Sequence, residues 1–354
     1  MANITFMIGN GFDLACALKS AYTDTYDGYI QVESNSKAIA KFKRIIKRDK
    51  EDRDYKNWCD FEMALAEHAR CFQCEADFIE CVCDYTEYLA KHLEEERRKF
   101  ISKYSGNPYL ITRLSQEMRR SIENFYEGLT PNSVTAIQSA LKLNERPLLH
   151  IRRYISFNYT DAFDQILDMP SPFAHEPAFD SAKKRSSSVM HIHGKLSGNE
   201  SGVILGVDNV SQISNLSYKL SDDGKRCIVK PIMTDYMDDK RKNETMQIVK
   251  GSDVICIYGW SLGESDLTWK NVIAEWLRMD NKHQLVYYKH AHASVDRHLH
   301  AFALKAVENK AKNELAKKLF GDDESVNIVE QQIHIPVGYD IFNFGAYLGG
   351  TTKT

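Results

Sequence analysis

The chain has 354 residues and a formal net charge of −3 at pH 7, and 43% of its residues are hydrophobic. This length allows a large core, and the charge excludes a general attraction to nucleic acid or to anionic membranes. No apolar run approaches the ~18 residues of a membrane span. The apolar N-terminus has no basic lead like that of a signal peptide, so we expect a cytoplasmic protein.

The eight cysteines have no secretory features around them, which indicates reduced thiols rather than disulfides. Cys71 and Cys74, with Cys81 and Cys83, form the one cluster that suggests zinc. Its cysteines fall among apolar residues spaced three and four apart, as on one face of a helix, whereas structural zinc sites usually hold ligand pairs on turns. We therefore expect buried thiols on a long helix and no metal.

The first predicted element is a short strand that ends at Ile8, followed by a turn at Gly9 and Gly11 and a helix from about Asp13. From Tyr22 to Leu149, strand signals almost disappear. Apolar residues instead recur at helical spacing through Ala38–Lys47, Trp58–Lys103 and Ile111–Tyr126. The charge run 41–56 changes sign midway, as expected of a solvated helix face and turn.

Strands and helices alternate again after residue 150. Predicted strands are Tyr154–Phe157, Val189–His193, Val203–Leu205, Val254–Tyr258, Gln284–Tyr288 and an edge strand within Asn327–Ile335. Predicted helices start at Asp161 and cover 239–249, 264–277 and 295–319. Strands separated by helices imply a mostly parallel sheet. We predict an α/β, Rossmann-like nucleotide-binding domain from residues 1–21 and 150–354, with a helical insertion at 22–149.

Ligands of open α/β sheets bind beyond the carboxyl ends of the strands, so the residues that follow each strand are candidates for a site. The first such segment is Gly9-Asn10-Gly11-Phe12-Asp13. Its glycines let the backbone approach a ligand, and free N–H groups at the helix start suit a phosphate. Leu14 replaces the third glycine of the dinucleotide fingerprint, and a plain strand-to-helix turn is an equal alternative.

The next two strand ends carry polar side chains. Asn158 and Tyr159 follow one strand and place a neutral amide at the ligand edge, while Asp161 can cap the next helix. Capping and turn chemistry alone is the alternative. His191 and His193 share one face of the following strand, and Gly194 leaves His193 beside open space. A hydrogen-bonded structural histidine is the alternative there.

The fourth strand end, Gly259-Trp260-Ser261-Leu262-Gly263, matches the G-x-S-x-G elbow of serine hydrolases. This interpretation makes Ser261 the nucleophile. Its acid and histidine would come from Asp280, Asp296, His290, His298 and His300. It leaves the other strand ends unused, and no His-Gly-Gly oxyanion loop precedes it. Alternatively, the glycines give clearance for a ligand and Ser261 bonds a ribose or phosphate, with Asp266 nearby.

Taken in this order, the segments resemble the AbiH family of bacterial abortive-infection proteins. The segments that carry the resemblance are Gly9-Asn10-Gly11-Phe12-Asp13-Leu14, Trp58-Cys59-Asp60-Phe61-Glu62, Phe157-Asn158-Tyr159-Thr160-Asp161, His191-Ile192-His193-Gly194, Leu205-Gly206-Val207-Asp208 and Tyr258-Gly259-Trp260-Ser261-Leu262-Gly263-Glu264-Ser265-Asp266. They extend over most of the chain. For Asp60 and Glu62, helix capping and a charge effect at a helix N-terminus are the expected roles.

The AbiH family in turn resembles the sirtuin-like, NAD-consuming effectors of phage defence. This resemblance implies that Gly9 and Gly11 hold the dinucleotide, that Asn158 lies near the nicotinamide ribose and that His193 supports catalysis. The remaining implied binding residues are Asn10, Phe12, Asp13, Tyr159, Asp161, Gly194, Gly259, Ser261 and Asp266. Thr160 is an insertion in the Asn-Tyr-Asp pattern and no sirtuin zinc knuckle is evident, so we do not expect a deacetylase.

These features together predict a phage-defence effector that hydrolyses NAD, its substrate, to nicotinamide and ADP-ribose. Asn158 would hold a ribose hydroxyl or the water, and His193 would accept a proton near neutral pH. No metal or redox cofactor is expected. The prediction includes a homo-oligomer or a defence-system partner protein. A serine hydrolase using Ser261 and a non-enzymatic nucleotide-binding module remain alternatives.

Overall fold

The computed structural model describes residues 2–53, 60–141, 150–170, 189–197, 202–213, 218–237, 239–288, 301–321, 326–337 and 339–349. Its strands are β1 (Asn3–Ile8), β2 (Ile151–Ser156), β3 (Met190–His191), β4 (Val254–Tyr258), β5 (Gln284–Tyr288) and β6 (Ile333–His334). They form one parallel sheet in the order β3-β2-β1-β4-β5-β6. The predicted α/β class with a Rossmann-like parallel sheet is confirmed.

The strand order places a topological switch point between β1 and β4. From β1 the chain continues to β2 and β3 on one side, whereas β4, β5 and β6 lie on the other. Phe6 of β1 pairs in register with Tyr154 of β2 and Cys256 of β4. Nearly all side chains of β1 and β4 are buried, as expected for strands covered on both faces. In sheets of this order, ligands bind in the crevice at the switch point.

Seven α-helices lie between β1 and β2 in the described residues. They are α1 (Gly11–Ala15), α2 (Tyr22–Gln31), α3 (Lys37–Arg53), α4 (Phe61–His68), α5 (Glu75–Tyr104), α6 (Pro108–Glu123) and α7 (Pro131–Ala140). The described part of residues 22–149 contains no strand, so its helical character is confirmed. The division of the chain into two domains stays a prediction.

The predicted single helix through the cysteine cluster is wrong, and Trp58 and Cys59 lie outside the described residues. The chain leaves α4 at His68 and forms a short 3-10 turn that ends at Cys71. It becomes extended at Phe72, whose ring packs against Phe42 and Phe78 in the core. The expectation of buried thiols holds for Cys81 alone in this cluster, because Cys74 and Cys83 are exposed and Cys71 is half-buried.

Helices α2 to α5 share a core of aromatic side chains. The rings of Phe61 and Tyr85 stack with centroids 3.9 Å apart. The same cluster includes Tyr159, Leu205 and Val207, which follow the strands of the sheet. This shared core holds the N-terminus of α4 over the carboxyl edge of the sheet.

The remaining helices follow β2. They are α8 (Ala162–Leu167), α9 (Asp222–Ile228), α10 (Lys230–Tyr236), α11 (Arg241–Lys250), α12 (Leu267–Met279), α13 (Ala301–Phe320), α14 (Val326–Gln332) and α15 (Gly345–Leu348). One face of the sheet packs on α6, α7, α8 and α15, and the other on α11 to α14. Helices therefore cover both faces and leave the strand ends as the place for a site.

Several predicted elements differ in the structure. Residues 203–205 form no strand, and Val207 makes only an isolated parallel bridge to Val229. Most of the predicted edge strand is α14, and the Gln332 amide at its end donates to carbonyl oxygens at the C-terminal end of α12. Only Ile333–His334 pairs as a strand. Among the described helices, none has the length and apolar character needed to cross a bilayer.

Candidate functional site

A cavity of about 550 Å³ opens at the carboxyl edge of the sheet, at the switch point between β1 and β4. All four predicted strand ends contribute to its wall. The predicted residues that line it are Gly9, Asn10, Gly11, Asp13, Asn158, Tyr159, His193, Gly259, Ser261 and Asp266. Tyr22, Glu62 and Leu89 of α2, α4 and α5 complete the wall, with Lys318 of α13. The sheet and the helical segment between β1 and β2 thus both contribute to one cavity.

The first two glycines join the turn after β1 to the turn after β4. The Gly9 N–H donates to the Tyr258 carbonyl at 2.9 Å, and the Gly11 N–H donates to the Gly259 carbonyl at 2.8 Å. A Cβ on Gly9 would lie 2.5 Å from the Trp260 Cα, and a Cβ on Gly11 would lie 2.5 Å from the Gly259 Cα. These glycines are therefore needed where two backbones meet. The Gly11 N–H, expected to face a phosphate, already has a partner.

Asp13, Asn158 and Thr160 form a buried cluster beneath the cavity. The Asn158 Nδ2 donates to Asp13 Oδ1 at 2.8 Å, and the Thr160 hydroxyl donates to Asp13 Oδ2 at 2.6 Å. Burial raises the pKa of Asp13 to about 6, although these two hydrogen bonds oppose the rise. The Asn158 Oδ1 is buried and has no hydrogen-bond partner among the described residues. Buried polar atoms usually have one, so this oxygen lacks a donor.

Hydrogen bonds also fix the backbone of Asn158. Its N–H donates to Ser156 Oγ at 3.1 Å, and its carbonyl accepts from His191 Nδ1 at 3.1 Å. The other ring nitrogen of His191 lies 2.9 Å from Asp164 Oδ2. His191 therefore orients Asn158 from behind and does not line the cavity.

A buried charge cluster forms the opposite wall. Lys230 of α10 donates to Glu62 Oε2 and to Asp266 Oδ1, both at 3.0 Å, and to the Ser265 carbonyl at 3.1 Å. Lys230, Glu62 and Asp266 are all buried. Burial raises the pKa of Glu62 to about 7 against the pull of Lys230. Burial also opposes ionisation of Asp266, but Lys230 and His193 bring its pKa below the usual value.

His193 lies in this cluster as a weaker base than expected. Its Nε2 is 3.3 Å from Asp266 Oδ1, and the residue is only 6% exposed. Burial, followed by repulsion from the Lys230 ammonium, lowers the pKa of His193 to about 3. A neutral ring with this pKa is a poor proton acceptor at neutral pH. The catalytic role that the sequence predicts for His193 stays a prediction.

Three predicted binding residues do not line the cavity. Phe12 packs in the core against Phe163 and Phe342. Asp161 is bound by the guanidinium of Arg97, with Nε to Oδ1 at 2.7 Å and Nη2 to Oδ2 at 2.9 Å. Gly194 sits in a turn at φ +82°. Asp161 was expected to bind the ligand or to cap α8, but the arginine from α5 bonds both carboxylate oxygens and the Asp161 side chain makes no capping hydrogen bond.

Sequence reasoning missed Lys230 and the roles of two acidic residues. Asp60 does cap α4, since its Oδ1 accepts the Met63 N–H at 3.2 Å, but it also lines the cavity. Glu62 does not act as a simple first-turn charge, because it bonds Lys230 and the Gly206 N–H. The Asp60-Phe61-Glu62 segment was the available signal. No comparable local signal marked Lys230.

The Ser261 segment has the sequence of a hydrolase elbow without the backbone of one. In such elbows the nucleophile occupies the strained position of the turn. Here the positive φ angles fall on Gly259 (+67°) and Leu262 (+54°), not on Ser261. The candidate acid Asp280 lies past the far end of α12. The other candidates, Asp296, His290, His298 and His300, lie outside the described residues.

We expect Ser261→Ala to weaken nucleotide binding modestly and to leave turnover measurable. Ser261 is exposed at the cavity wall, and its carbonyl rather than its hydroxyl bonds the Lys318 Nζ at 2.6 Å. Losing one exposed hydrogen bond costs on the order of 1 kcal/mol. Titration calorimetry with ADP-ribose and a turnover assay measure both effects. Covalent labelling of Ser261 by a fluorophosphonate, with complete loss of activity in the variant, would support the hydrolase instead.

The described residues contain no group of three or more His, Cys, Asp or Glu arranged to hold a metal ion.

Among known protein families, a model described as "Bacteriophage abortive infection AbiH" matches residues 5–317, well over half of the chain. The match includes every residue that we have placed in the cavity wall except Lys318. No curated protein matches the chain.

Proposed function

The chain belongs to the AbiH family of bacteriophage abortive-infection proteins, and we propose that it contributes to abortive infection by hydrolysing NAD to nicotinamide and ADP-ribose. The observation that carries this proposal is the Asn158 amide, which lines the cavity and has a buried Oδ1 that no described residue bonds. A ribose hydroxyl supplies the missing donor. This is the contact that the sirtuin-like resemblance assigns to Asn158.

The position and size of the cavity support a nucleotide. The sheet has the strand order of dinucleotide-binding folds, and the cavity lies at its switch point. A volume of about 550 Å³ falls within the range of small-molecule and cofactor sites. Tyr22 and Tyr159 add aromatic surface to the wall.

The charge of the cavity supports cleavage of a cationic bond. Four carboxylates line it, those of Asp13, Asp60, Glu62 and Asp266, and the one ammonium bonded to them is that of Lys230 on Glu62 and Asp266 among the described residues. The nicotinamide ring of NAD carries a positive charge, which passes to the ribose as the N-glycosidic bond breaks. Fixed negative charges in a site of low dielectric stabilise a transition state of this kind.

We assign the steps of the reaction to residues of the cavity wall. The C1′–N bond breaks with its electron pair leaving on nicotinamide, and a water oxygen then bonds to C1′. Asn158 Oδ1 orients the ribose hydroxyl during this exchange. The proton that water releases needs an acceptor with a pKa near the working pH. Glu62, whose pKa burial raises to about 7, meets this requirement in the cavity wall.

The decisive experiment measures cellular NAD during infection. Cells carrying the gene under its own promoter are infected with a phage that the gene blocks. NAD should stay constant before infection, because its loss is lethal, and should fall after infection while nicotinamide and ADP-ribose accumulate. Cells carrying the Asn158→Ala variant are the matched control. Unchanged NAD during an infection that the gene blocks contradicts the proposal.

A further inference from the structure

An amide side chain has two orientations of nearly the same shape, and its neighbours decide which atom faces a ligand. At Asn158 this choice is made by Asp13, which comes from α1 and is 145 residues away in sequence. An ionised carboxylate accepts hydrogen bonds and donates none. Asp13 therefore binds the Asn158 NH₂ group and leaves Oδ1 on the other side of the amide.

The carboxylate is itself fixed in place. Its second oxygen accepts the Thr160 hydroxyl at 2.6 Å, so each oxygen has one donor. Thr160 is two residues after Asn158, and both donors thus come from the segment that follows β2. The three side chains tie the turn after β1 to the turn after β2, the two segments that form the floor of the cavity.

The burial of the Asp13 carboxylate is energetically unfavourable. Asp13 is only 2% exposed, and its two hydrogen-bond donors among the described residues are neutral. Burying a carboxylate without a bonded cation costs free energy.

We propose that Asp13 is the positioning residue of the site, which holds the Asn158 amide with Nδ2 inward and Oδ1 toward the substrate. This inference rests on the proposed NAD hydrolysis for its kinetic consequence. It replaces the direct ligand contact that the sequence suggested for Asp13. Asp13 acts on the substrate through Asn158, and its removal lowers turnover because the amide loses its single orientation.

Four variants of the full chain test this assignment: Asp13→Ala, Asp13→Asn, Asn158→Ala and the double variant Asp13→Ala/Asn158→Ala. Asp13→Ala should lower kcat by ~10²–10³, the loss typical of a misplaced transition-state contact. The double variant should lose no more than Asn158→Ala alone. Asp13→Asn should recover most of the loss, because its Oδ1 still accepts from Asn158. Asp24→Asn, an exposed residue that bonds the Ala21 N–H beside α2, is the matched control.

Two kinetic results would overturn the assignment. If Asp13→Asn is as inactive as Asp13→Ala, the negative charge itself acts on the reaction. If the losses of the two single alanine variants multiply in the double variant, Asp13 and Asn158 act independently. Circular dichroism of each variant shows whether it is folded, and Asp13→Asn keeps the test valid if Asp13→Ala does not fold.

A neutron crystal structure of Asp13→Ala, which distinguishes the amide nitrogen from the amide oxygen, separates this inference from the proposed function. The Asn158 side chain should rotate or occupy two orientations there. An Asn158 amide with Nδ2 and Oδ1 placed as in the natural protein would refute positioning by Asp13. If the natural protein does not cleave NAD but this structure shows a rotated amide, the proposed reaction fails and the positioning role stands.

Discussion

Asn158→Ala is expected to lower NAD turnover by ~10²–10³ while leaving the fold intact. The variant removes the Oδ1, to which no described residue donates, so this part of the change breaks no hydrogen bond within the part of the chain that the structure describes. It also removes the Nδ2 donor to Asp13, which leaves one hydroxyl on that carboxylate. Release of nicotinamide by the purified protein, or by extracts of infected cells, measures the loss.

The matched control is Asn107→Ala, the same change at an exposed position. Asn107 caps α6 through its side-chain oxygen, which accepts the Leu110 N–H at 3.1 Å. Losing such a cap costs about 1 kcal/mol of stability, and we expect full NAD turnover. An Asn158→Ala protein that is folded and fully active would rule out the proposed mechanism.

Lys230→Met is expected to lower the free energy of unfolding by about 3–5 kcal/mol. Removing one member of a buried ion pair leaves the other charge uncompensated in a medium of low dielectric. Here the loss affects two carboxylates, Glu62 and Asp266, which both bond the Lys230 Nζ at 3.0 Å. Urea or thermal unfolding followed by circular dichroism measures the change.

Lys225→Met on the neighbouring helix α9 is the control for this variant. Lys225 pairs with Asp222 at 2.8 Å, but the aspartate side chain is 84% exposed. Exposed pairs contribute about 0–1 kcal/mol. The double variant Glu62→Gln/Lys230→Met should be more stable than Lys230→Met, because it removes one of the uncompensated carboxylates. Equal, small effects of the two lysine substitutions would show that the buried cluster does not stabilise the fold.

The central strands and the fold class were predictable from the sequence. Val254–Tyr258 and Gln284–Tyr288 are continuous apolar runs, as strands buried on both faces require. Gly9 and Gly259 mark the ends of two adjacent strands. These signals are local, since they depend on the pattern of a few neighbouring residues. The short strands β3 and β6 were placed less well because two residues carry little pattern.

The meeting of the strand ends also followed from the sequence. Parallel strands bring their carboxyl ends to one edge, so Asn158, His193 and Asp266 were expected near Gly9, and all four line the cavity. Topology supplies this proximity without any knowledge of side-chain contacts. The topology did not identify which atom of each residue would face a ligand.

Only the tertiary structure decided the chemistry of these residues. Asp13 reaches Asn158 across 145 positions, and Lys230 reaches Glu62 across 168. Such partners leave no trace in local periodicity, yet they determine which amide atom is free and which carboxylates are compensated. The pKa of His193 falls because packing buries the imidazole and, second, because α10 places Lys230 near it. A pKa depends on burial and on nearby charges, and both are set by packing between segments that are distant in sequence.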